Sequence, residues 1–425
     1  MATDQQARRR SMLIAASGTV IEWFDFSLFF YLATSLSHTF FPHGRYALLV
    51  TLATGAVGFL FRPLGAVVFG HIGDTKGRTT ALIASAGLMA IAMAGIALMP
   101  GYESIGVWGG IGVLCLRALA GFSVGAEYTG IMVYLMESAS QHRRGFAASW
   151  AAANSEVGAL LAVGSAALTA AVLGTDGLHE WGWRLPFALG AVLAAGMIPL
   201  RRYMVETPVE KPDPQEATPL KHALTVQRRN VWICFFISTV GSASYFLTIT
   251  YLPTYVETVR QGDSQLALGM GTIAAFAAIL VTPLIGWLSD VWGRRRTFGA
   301  TLAVLVLIVL PGYALLGSPS IGVVTAAVAV LALPAAAWSA VAAAAVPEQF
   351  DAHGRYSGMA VGYNVATVLF GGLTPAIVAQ LTEVTGDALT PAYYAGVIAL
   401  LAGVPAVWMM REGTTLTKRQ LNTHS

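Results

Sequence analysis

Charge is what this sequence has least of. Asp, Glu, Lys and Arg make up 11% of its 425 residues, against about a quarter in soluble globular chains. So few charges cannot clothe a water-soluble protein of this length, which sets aside a soluble enzyme. Cysteine is scarce as well. Cys115 and Cys234 each fall inside an apolar run, which excludes a disulfide framework and reads as two small core residues. No cluster has metal-ligand spacing and no Walker loop is present, so neither a metal, nor another cofactor, nor ATP-driven transport is expected. The formal net charge of +3 is too small to imply a nucleic-acid partner.

What fills the chain instead is apolar. Hydrophobic residues reach 56% and the mean hydropathy is +0.64. There are 45 glycines and 18 prolines, many inside apolar stretches, as membrane helices tolerate. Segments long enough to cross the hydrocarbon need about 20 apolar residues. Twelve are found, at 12–36, 47–70, 80–99, 105–136, 145–173, 184–204, 231–256, 265–288, 297–316, 320–346, 356–381 and 391–410. The first follows Arg8-Arg9-Arg10, contains Glu22 and Asp25 and outruns a signal h-region, so it reads as a retained helix.

Basic residues set the orientation. With the N-terminus inside, twenty of the 25 Lys and Arg fall on internal segments. Only Arg45, Arg184 and Arg260 fall outside, and Arg62 and Arg117 lie within spans. The expectation is a multi-pass protein of the cell (inner or plasma) membrane, both termini cytoplasmic, its partners the lipid bilayer and a small solute, working as a monomer.

The loop after span 2 reads Gly70-His-Ile-Gly-Asp74-Thr-Lys-Gly77-Arg78, and the loop after span 8 reads Gly286-Trp-Leu-Ser-Asp290-Val-Trp-Gly293-Arg294. Their shared pattern, G-x-x-x-D-x-x-G-R, recurs about half a chain apart. A second echo pairs Glu137 and Arg144 with Glu348 and Arg355. Two echoes at nearly one offset predict an all-α integral membrane protein, twelve transmembrane helices in two pseudo-symmetric six-helix bundles. The bundles span 1–204 and 230–425, and a linker at 205–229, punctuated by Pro208, Pro212, Pro214 and Pro219, joins them on the cytoplasmic side. In each loop the glycines permit a tight turn. The acid can accept from a neighbouring helix N-terminus, and the arginine can pair with Glu137 or Glu348. These residues are the expected cytoplasmic gate; the bland alternative is a static turn.

Ionisable residues inside a membrane are functional candidates. The first half has six, Glu22, Asp25, Arg62, Arg117, Glu127 and Glu156, and the second half has none well inside a span. Counting along the helices puts Asp25 and Arg117 both near the midplane, where each would be costly alone, so they are expected to pair. Glu156 lies at similar depth, and Glu22 one turn from Asp25 on the same face. Asp25, Glu22, Glu127 and Glu156 are thus proton-coupling candidates, with a permanent structural ion pair the alternative for Asp25. Arg117 and Arg62 are substrate-binding candidates, although Arg62, before Pro63 and near the gate, is as readily structural. Tyr245, Tyr251, Asn364 and Trp338 are further candidate contacts, each weighed against plain packing. Gly121 and Gly125 form a small-xxx-small stripe for close helix approach.

The doubled loop motif resembles the major facilitator superfamily. Glu22-Trp-Phe-Asp25-Phe, Phe61-Arg62-Pro63-Leu-Gly65, Arg117-x-x-x-Gly121-x-x-x-Gly125-x-Glu127 and Trp181-Gly-Trp-Arg184-Leu-Pro186-Phe together resemble its metabolite:proton symporter family, which takes up organic acids, proline or betaine. Gly121-Phe-Ser-Val-Gly125-Ala-Glu127, Thr250-Tyr251-Leu-Pro253-Thr-Tyr255 and Phe370-Gly-Gly-Leu-Thr374-Pro375 with Thr385-Gly-Asp387 are similar to the branch of bacterial citrate and tricarballylate symporters. That resemblance implies proton-driven import of an organic anion, citrate-like di- or tricarboxylates first. It also matches an arrangement of related sugar porters, in which a span 1 acid faces the span 4 arginine. The chain departs from the citrate branch at Trp338-Ser339, where that branch has Tyr-Asn, and at Glu156, where it has glutamine. A proline/betaine symporter and a non-transporting receptor remain as alternatives.

Overall fold

Backbone polar groups in hydrocarbon have only each other to bond to, and the chain answers with helix throughout. The computed structural model describes residues 2–41, 44–125, 127–203, 219–351 and 355–411. The side chains of residues 2–16, Gly70, Gly73, Asp74, Thr75, Arg78, Glu127, Ser138 and Pro219 are outside that description. The expected gate side chains Gly70, Asp74 and Arg78, the acid Glu127 and the linker up to residue 218 therefore lie outside the described residues.

Twelve helical rods follow in order. They are α1 (Ala2–Tyr31, continued by Ala33–Phe40), α2 (Ala47–Lys76), α3 (Arg78–Leu98), α4 (Val107–Ser123, continued by Glu127–Ser138), α5 (Arg144–Gly177) and α6 (Arg184–Arg201). The second set is α7 (Arg228–Tyr245, continued by Phe246–Thr250 and Leu252–Thr258), α8 (Ser264–Trp292), α9 (Arg294–Leu315), α10 (Ile321–Ala345), α11 (Arg355–Thr367, Val368–Gly372 and Thr374–Thr385) and α12 (Thr390–Ile398, Ala399–Gly403 and Val404–Met409). Among the described residues eleven helices, α2 to α12, are long and apolar enough to cross a membrane; α1 opens in the stretch whose side chains are not described. Leu98 is 81% exposed and Leu307 73%, an outer face that water would not tolerate and lipid does.

Prolines shape the interior of these rods. Four turns widen to π-helix, at Leu178–Gly182, Phe246–Thr250, Val368–Gly372 and Ala399–Gly403. Each is followed within four residues by a proline, Pro186, Pro253, Pro375 or Pro405. A proline ring clashes with the carbonyl four residues back and offers it no N–H, and a widened turn relieves the clash. In α7 a side chain takes up a carbonyl of the widened turn: the Tyr313 hydroxyl donates to the Leu247 oxygen at 2.9 Å.

Small residues set the closest approaches. A methyl at Gly121 would overlap the carbonyl of Gly58, and one at Gly125 would overlap the backbone at Ala66. The small-residue stripe thus presses α4 onto α2. Between the bundles, α5 lies along α8 in the most extensive helix contact of the molecule, and α2 meets α11.

The loop echo is visible in the backbone. Gly77 separates α2 from α3 with φ 95° and ψ 145°, and Gly293 separates α8 from α9 with φ 91° and ψ 150°. Only glycine takes that conformation without strain. Two sequence boundaries differ from expectation. Span 4 is interrupted after Ser123, where the glycine pair presses α4 against α2. The rod of span 5 carries on to Gly177 across Gly174, whose φ of 75° breaks the regular helix where the span was expected to end.

Candidate functional site

Three residues apart on α1, Glu22 and Asp25 share a face. The Arg117 Nη1 of α4 donates to Asp25 Oδ2 at 2.6 Å, both side chains fully buried. Arg62 of α2 approaches Glu22 Oε1 at 2.7 Å. The Phe26 ring serves both pairs, its centre 4.2 Å from the Arg62 guanidinium and 4.9 Å from that of Arg117; Phe59 also meets Arg62 and Phe29 also meets Arg117. The expected midplane pairing of Asp25 with Arg117 is present. It is a single-bond pair, for Asp25 Oδ1 and Arg117 Nε and Nη2 have no hydrogen-bond partner among the described residues. Such a pair is attracted strongly in low dielectric yet leaves polar atoms unmet, so a change of charge on either side is felt fully by the other.

Beside this ladder, between the bundles, lies a cavity of about 50 Å³, room for a few waters. Trp23, Tyr128, Ser155 and Glu156 line it from the first bundle. Ser238, Ser242, Tyr245, Phe246, Ser339 and Tyr363 line it from the second. Trp23 meets Tyr128 and Tyr245 edge to face, and Tyr128 stacks near Tyr363. Glu156 is fully buried, and neither carboxyl oxygen has a hydrogen-bond partner of normal geometry among the described residues. The Tyr245 hydroxyl faces it. Unlike Asp25 and Glu22 it has no ion-pair partner among the described residues. An anion without a counter-charge is expensive to bury, so a proton is what makes a carboxyl tolerable at this spot.

Of the six expected substrate contacts, the cavity gathers one, Tyr245. Arg117 and Arg62 are held in their ion pairs outside its lining. Trp338 is fully buried, donates its indole N–H to the Ile237 carbonyl at 2.8 Å and stacks on Phe298, so it packs the second bundle; its neighbour Ser339 faces the cavity instead. Tyr251 sits in a cluster with Tyr255 and Tyr313, away from the cavity, because the widened turn of α7 turns it there. Asn364 is buried beside Tyr363 without lining the cavity. Trp23, Tyr128, Tyr363 and the serines were missed. Trp23 was legible, lying between two intramembrane acids; the serines were not, since hydroxyls are common inside membrane helices.

The two ends of the cavity are bridged. At the end rich in Lys and Arg, Asp290 of α8 accepts from the backbone N–H groups of Gly145 and Phe146, each at 2.8 Å. It thereby caps α5 of the other bundle. Arg294 pairs with Asp290 at 2.9 Å and with Glu348 at 3.0 Å. Arg355 reaches across to Glu137. Arg144 stands at the first turn of α5, next to the cap. At the opposite end Thr254 donates to the Phe30 carbonyl at 3.3 Å, and Arg45 pairs with Glu383. The residues expected to gate at the second loop thus make contacts between the bundles, and contacts between the bundles are found at the opposite end as well.

Known proteins place this arrangement. Residues 15–279 match the Major Facilitator Superfamily, and residues 210–411 match the sugar (and other) transporter family. The chain is 32% identical to a proline/betaine transporter of Salmonella typhimurium, over 96% of its own length and 84% of the relative's. It is 33% identical to a citrate-proton symporter of Klebsiella pneumoniae, over 97% and 94%. In fold it resembles the xylose transporter of E. coli in a partially occluded inward-open conformation, with a TM-score of 0.75 at 17% identity, over 95% of this chain and 98% of that one. The doubled loop, the two six-helix bundles and these relatives agree: the chain belongs to the major facilitator superfamily of membrane transporters.

Proposed function

We propose that this protein is a proton-coupled secondary transporter that carries a small carboxylate-bearing solute into the cell by alternating access, without a cofactor. The basic end faces the cytoplasm, as the Lys and Arg distribution requires. The bundles are 1–204 and 230–425, joined through 205–229. The observation that carries the reading is Glu156, an acid with no ion-pair partner among the described residues, lining the cavity where the bundles meet. Protonating it breaks no ion pair, and it changes the charge of the solute's compartment by one. Asp25 is the second acid of the cycle. A proton on Asp25 leaves Arg117 without its anion and ready to attract a carboxylate. Glu22, paired with Arg62, and Glu127 complete the set of coupling candidates.

Two solute classes fit a carboxylate, and the relatives divide between them. Citrate-like anions need positive side chains, and Arg117 and Arg62 are near but occupied. A zwitterion of the proline or betaine type is favoured by the lining itself: Trp23, Tyr128, Tyr245 and Tyr363 offer ring faces to a cationic head beside Glu156. The test is uptake into proteoliposomes under an imposed pH gradient, competed by citrate, tricarballylate, 2-oxoglutarate, proline and betaine. Accumulation that collapses with a protonophore is expected. Glu156→Gln should abolish accumulation and keep counterflow exchange. Wild-type accumulation by that variant would remove Glu156 from the mechanism, and no concentrative flux of any solute would overturn the reading.

A further inference from the structure

At the end opposite the basic gate, a histidine is shared between the bundles. His179 follows α5, in the turn of Leu178–Gly182. Its Nδ1 lies 2.8 Å from the Ser35 hydroxyl of α1, in its own bundle. Its Nε2 lies 3.2 Å from Ser264 Oγ, the first residue of α8, and 3.6 Å from Glu257 Oε1 at the end of α7, both in the other bundle. Ser264 donates its hydroxyl hydrogen to Glu257 Oε1, and Thr34 of α1 donates to Glu257 Oε2 at 2.7 Å. Thr175 and Asp263 bond across the same seam.

Counting hydrogens fixes the tautomer. Ser264 has one hydroxyl hydrogen and it is spent on Glu257. The His179 contact with Ser264 is therefore a donation from Nε2–H to a lone pair of Ser264. Nδ1 is then the acceptor of the Ser35 hydroxyl in the neutral ring. A second proton on Nδ1 requires only that Ser35 turn its hydrogen away and accept. The site holds both charge states without moving a heavy atom. What changes is the seam: a neutral hydrogen-bonded contact becomes a cation 3.6 Å from a carboxylate of the other bundle.

We propose that His179 and Glu257 form a proton-binding site at the outer mouth, and that a proton taken from outside locks the two bundles together there. The site deepens the transport reading above, since its outward placement rests on the same orientation. Burial of the His179 ring is the largest influence and holds its pKa below the ordinary histidine value; Glu257, Asp176 of α5 and Asp263 ahead of α8 oppose it and favour the cation. His38 of α1, with its ring centre 5.9 Å away, opposes a second positive charge. Both partners are sheltered yet reachable, with 24% and 15% of their side chains exposed. A symporter must close its outer face once the proton is aboard, and this pair ties closure to proton capture.

The test measures the outer mouth directly, with no solute present. Spin labels at Ser104→Cys, between α3 and α4, and Ser320→Cys, between α9 and α10, in a Cys115→Ser background, report the separation of the bundles. Burial holds the ring below the ordinary histidine value of about 6.5, so it takes up its second proton below that pH. Lowering the pH from about 8 to about 5 should therefore raise the closed-to-open ratio by roughly two- to fivefold, the range of a partly exposed ion pair. His179→Gln and Glu257→Gln should each make the ratio independent of pH over that interval. A wild-type pH response in either variant, or none in the parent, overturns the proposal. If His179→Gln does not fold, Glu257→Gln decides alone. A pH-dependent distance without protonophore-sensitive uptake upholds the site and removes the coupling. Protonophore-sensitive uptake with a distance independent of pH upholds the coupling and overturns the site.

Discussion

Removing Asp290 perturbs the basic gate at its most informative point. Its carboxylate takes two backbone N–H groups of α5 at 2.8 Å each and pairs with Arg294 at 2.9 Å. Loss of a capping side chain typically costs about 1 kcal/mol and up to ~2. Arg294 keeps Glu348 at 3.0 Å, so it is not stranded by the change. The capped helix belongs to the other bundle, so the loss falls only on conformations in which this end is closed. A shift of ~1–2 kcal/mol changes the closed-to-open ratio by a factor of roughly 5–30. Asp290→Ala should populate the basic-end-open form to that extent. The readout is a label-to-label distance between Gln141→Cys and Arg296→Cys in a Cys115→Ser background. Uptake should slow by a similar factor, because return to the outward-facing state requires this end to close, while equilibrium solute affinity changes about twofold or less. Asp290→Asn, which keeps an acceptor and drops the charge, should fall between. Unchanged distances with unchanged turnover would show that the cap is a static turn.

Three further outcomes are expected. Asp25→Asn leaves Arg117 as a buried cation without an anion and should destabilise the protein by ~3–5 kcal/mol; thermal unfolding in detergent measures it, and the double change Asp25→Asn with Arg117→Met should recover most of the loss. Gly121→Ala drives a methyl into the Gly58 carbonyl, an overpacking of about 1–3 kcal/mol or more, visible as a lowered unfolding temperature; a wild-type value would mean that α2 and α4 slide apart freely. Trp338→Phe removes one hydrogen bond to the Ile237 carbonyl, about 1 kcal/mol, and should leave solute affinity intact; a loss above about threefold would return Trp338 to the binding site.

The sequence announced its topology because lipid enforces few rules and enforces them on every helix. Apolar length and the basic bias sufficed for twelve spans, and the echo of Gly77 and Gly293 exposed the repeat because φ of 95° and 91° with ψ of 145° and 150° suits glycine alone. The pairing of Asp25 with Arg117 was legible from depth, since each would be costly alone at that level. Facing was not. Trp338, Tyr251 and Asn364 are residue types that line cavities or fill cores with equal ease, and side-chain direction depends on helix rotation, which the π-turns of α7 and α11 alter by part of a turn. The outer cluster was missed for another reason: His179 and Glu257 are far apart in sequence, and each alone reads as a solvated loop residue.

The uneven placement of charge gains its meaning from α5. This rod of 34 residues, regular for about 45 Å up to the break at Gly174 at 1.5 Å per residue, carries Glu156 in its first half. Its first residues are held by Asp290 of α8, and just past its last turn His179 meets Ser264 and Glu257. Contact with α8 is close at two levels, where a methyl on Gly286 would overlap Ser149 and one on Gly271 would press on Val163. A rod so held cannot loosen at one end without bearing on the other. Rocking α5 on α8 opens one mouth as it tightens the opposite one. The second bundle needs no charge of its own in the middle: its Tyr245 hydroxyl faces Glu156, and its Ser238, Ser242 and Ser339 supply polar contacts around the cavity. In the proposed cycle charge state is carried by the bundle to which α5 belongs, and its consequence is read at the seam with α8.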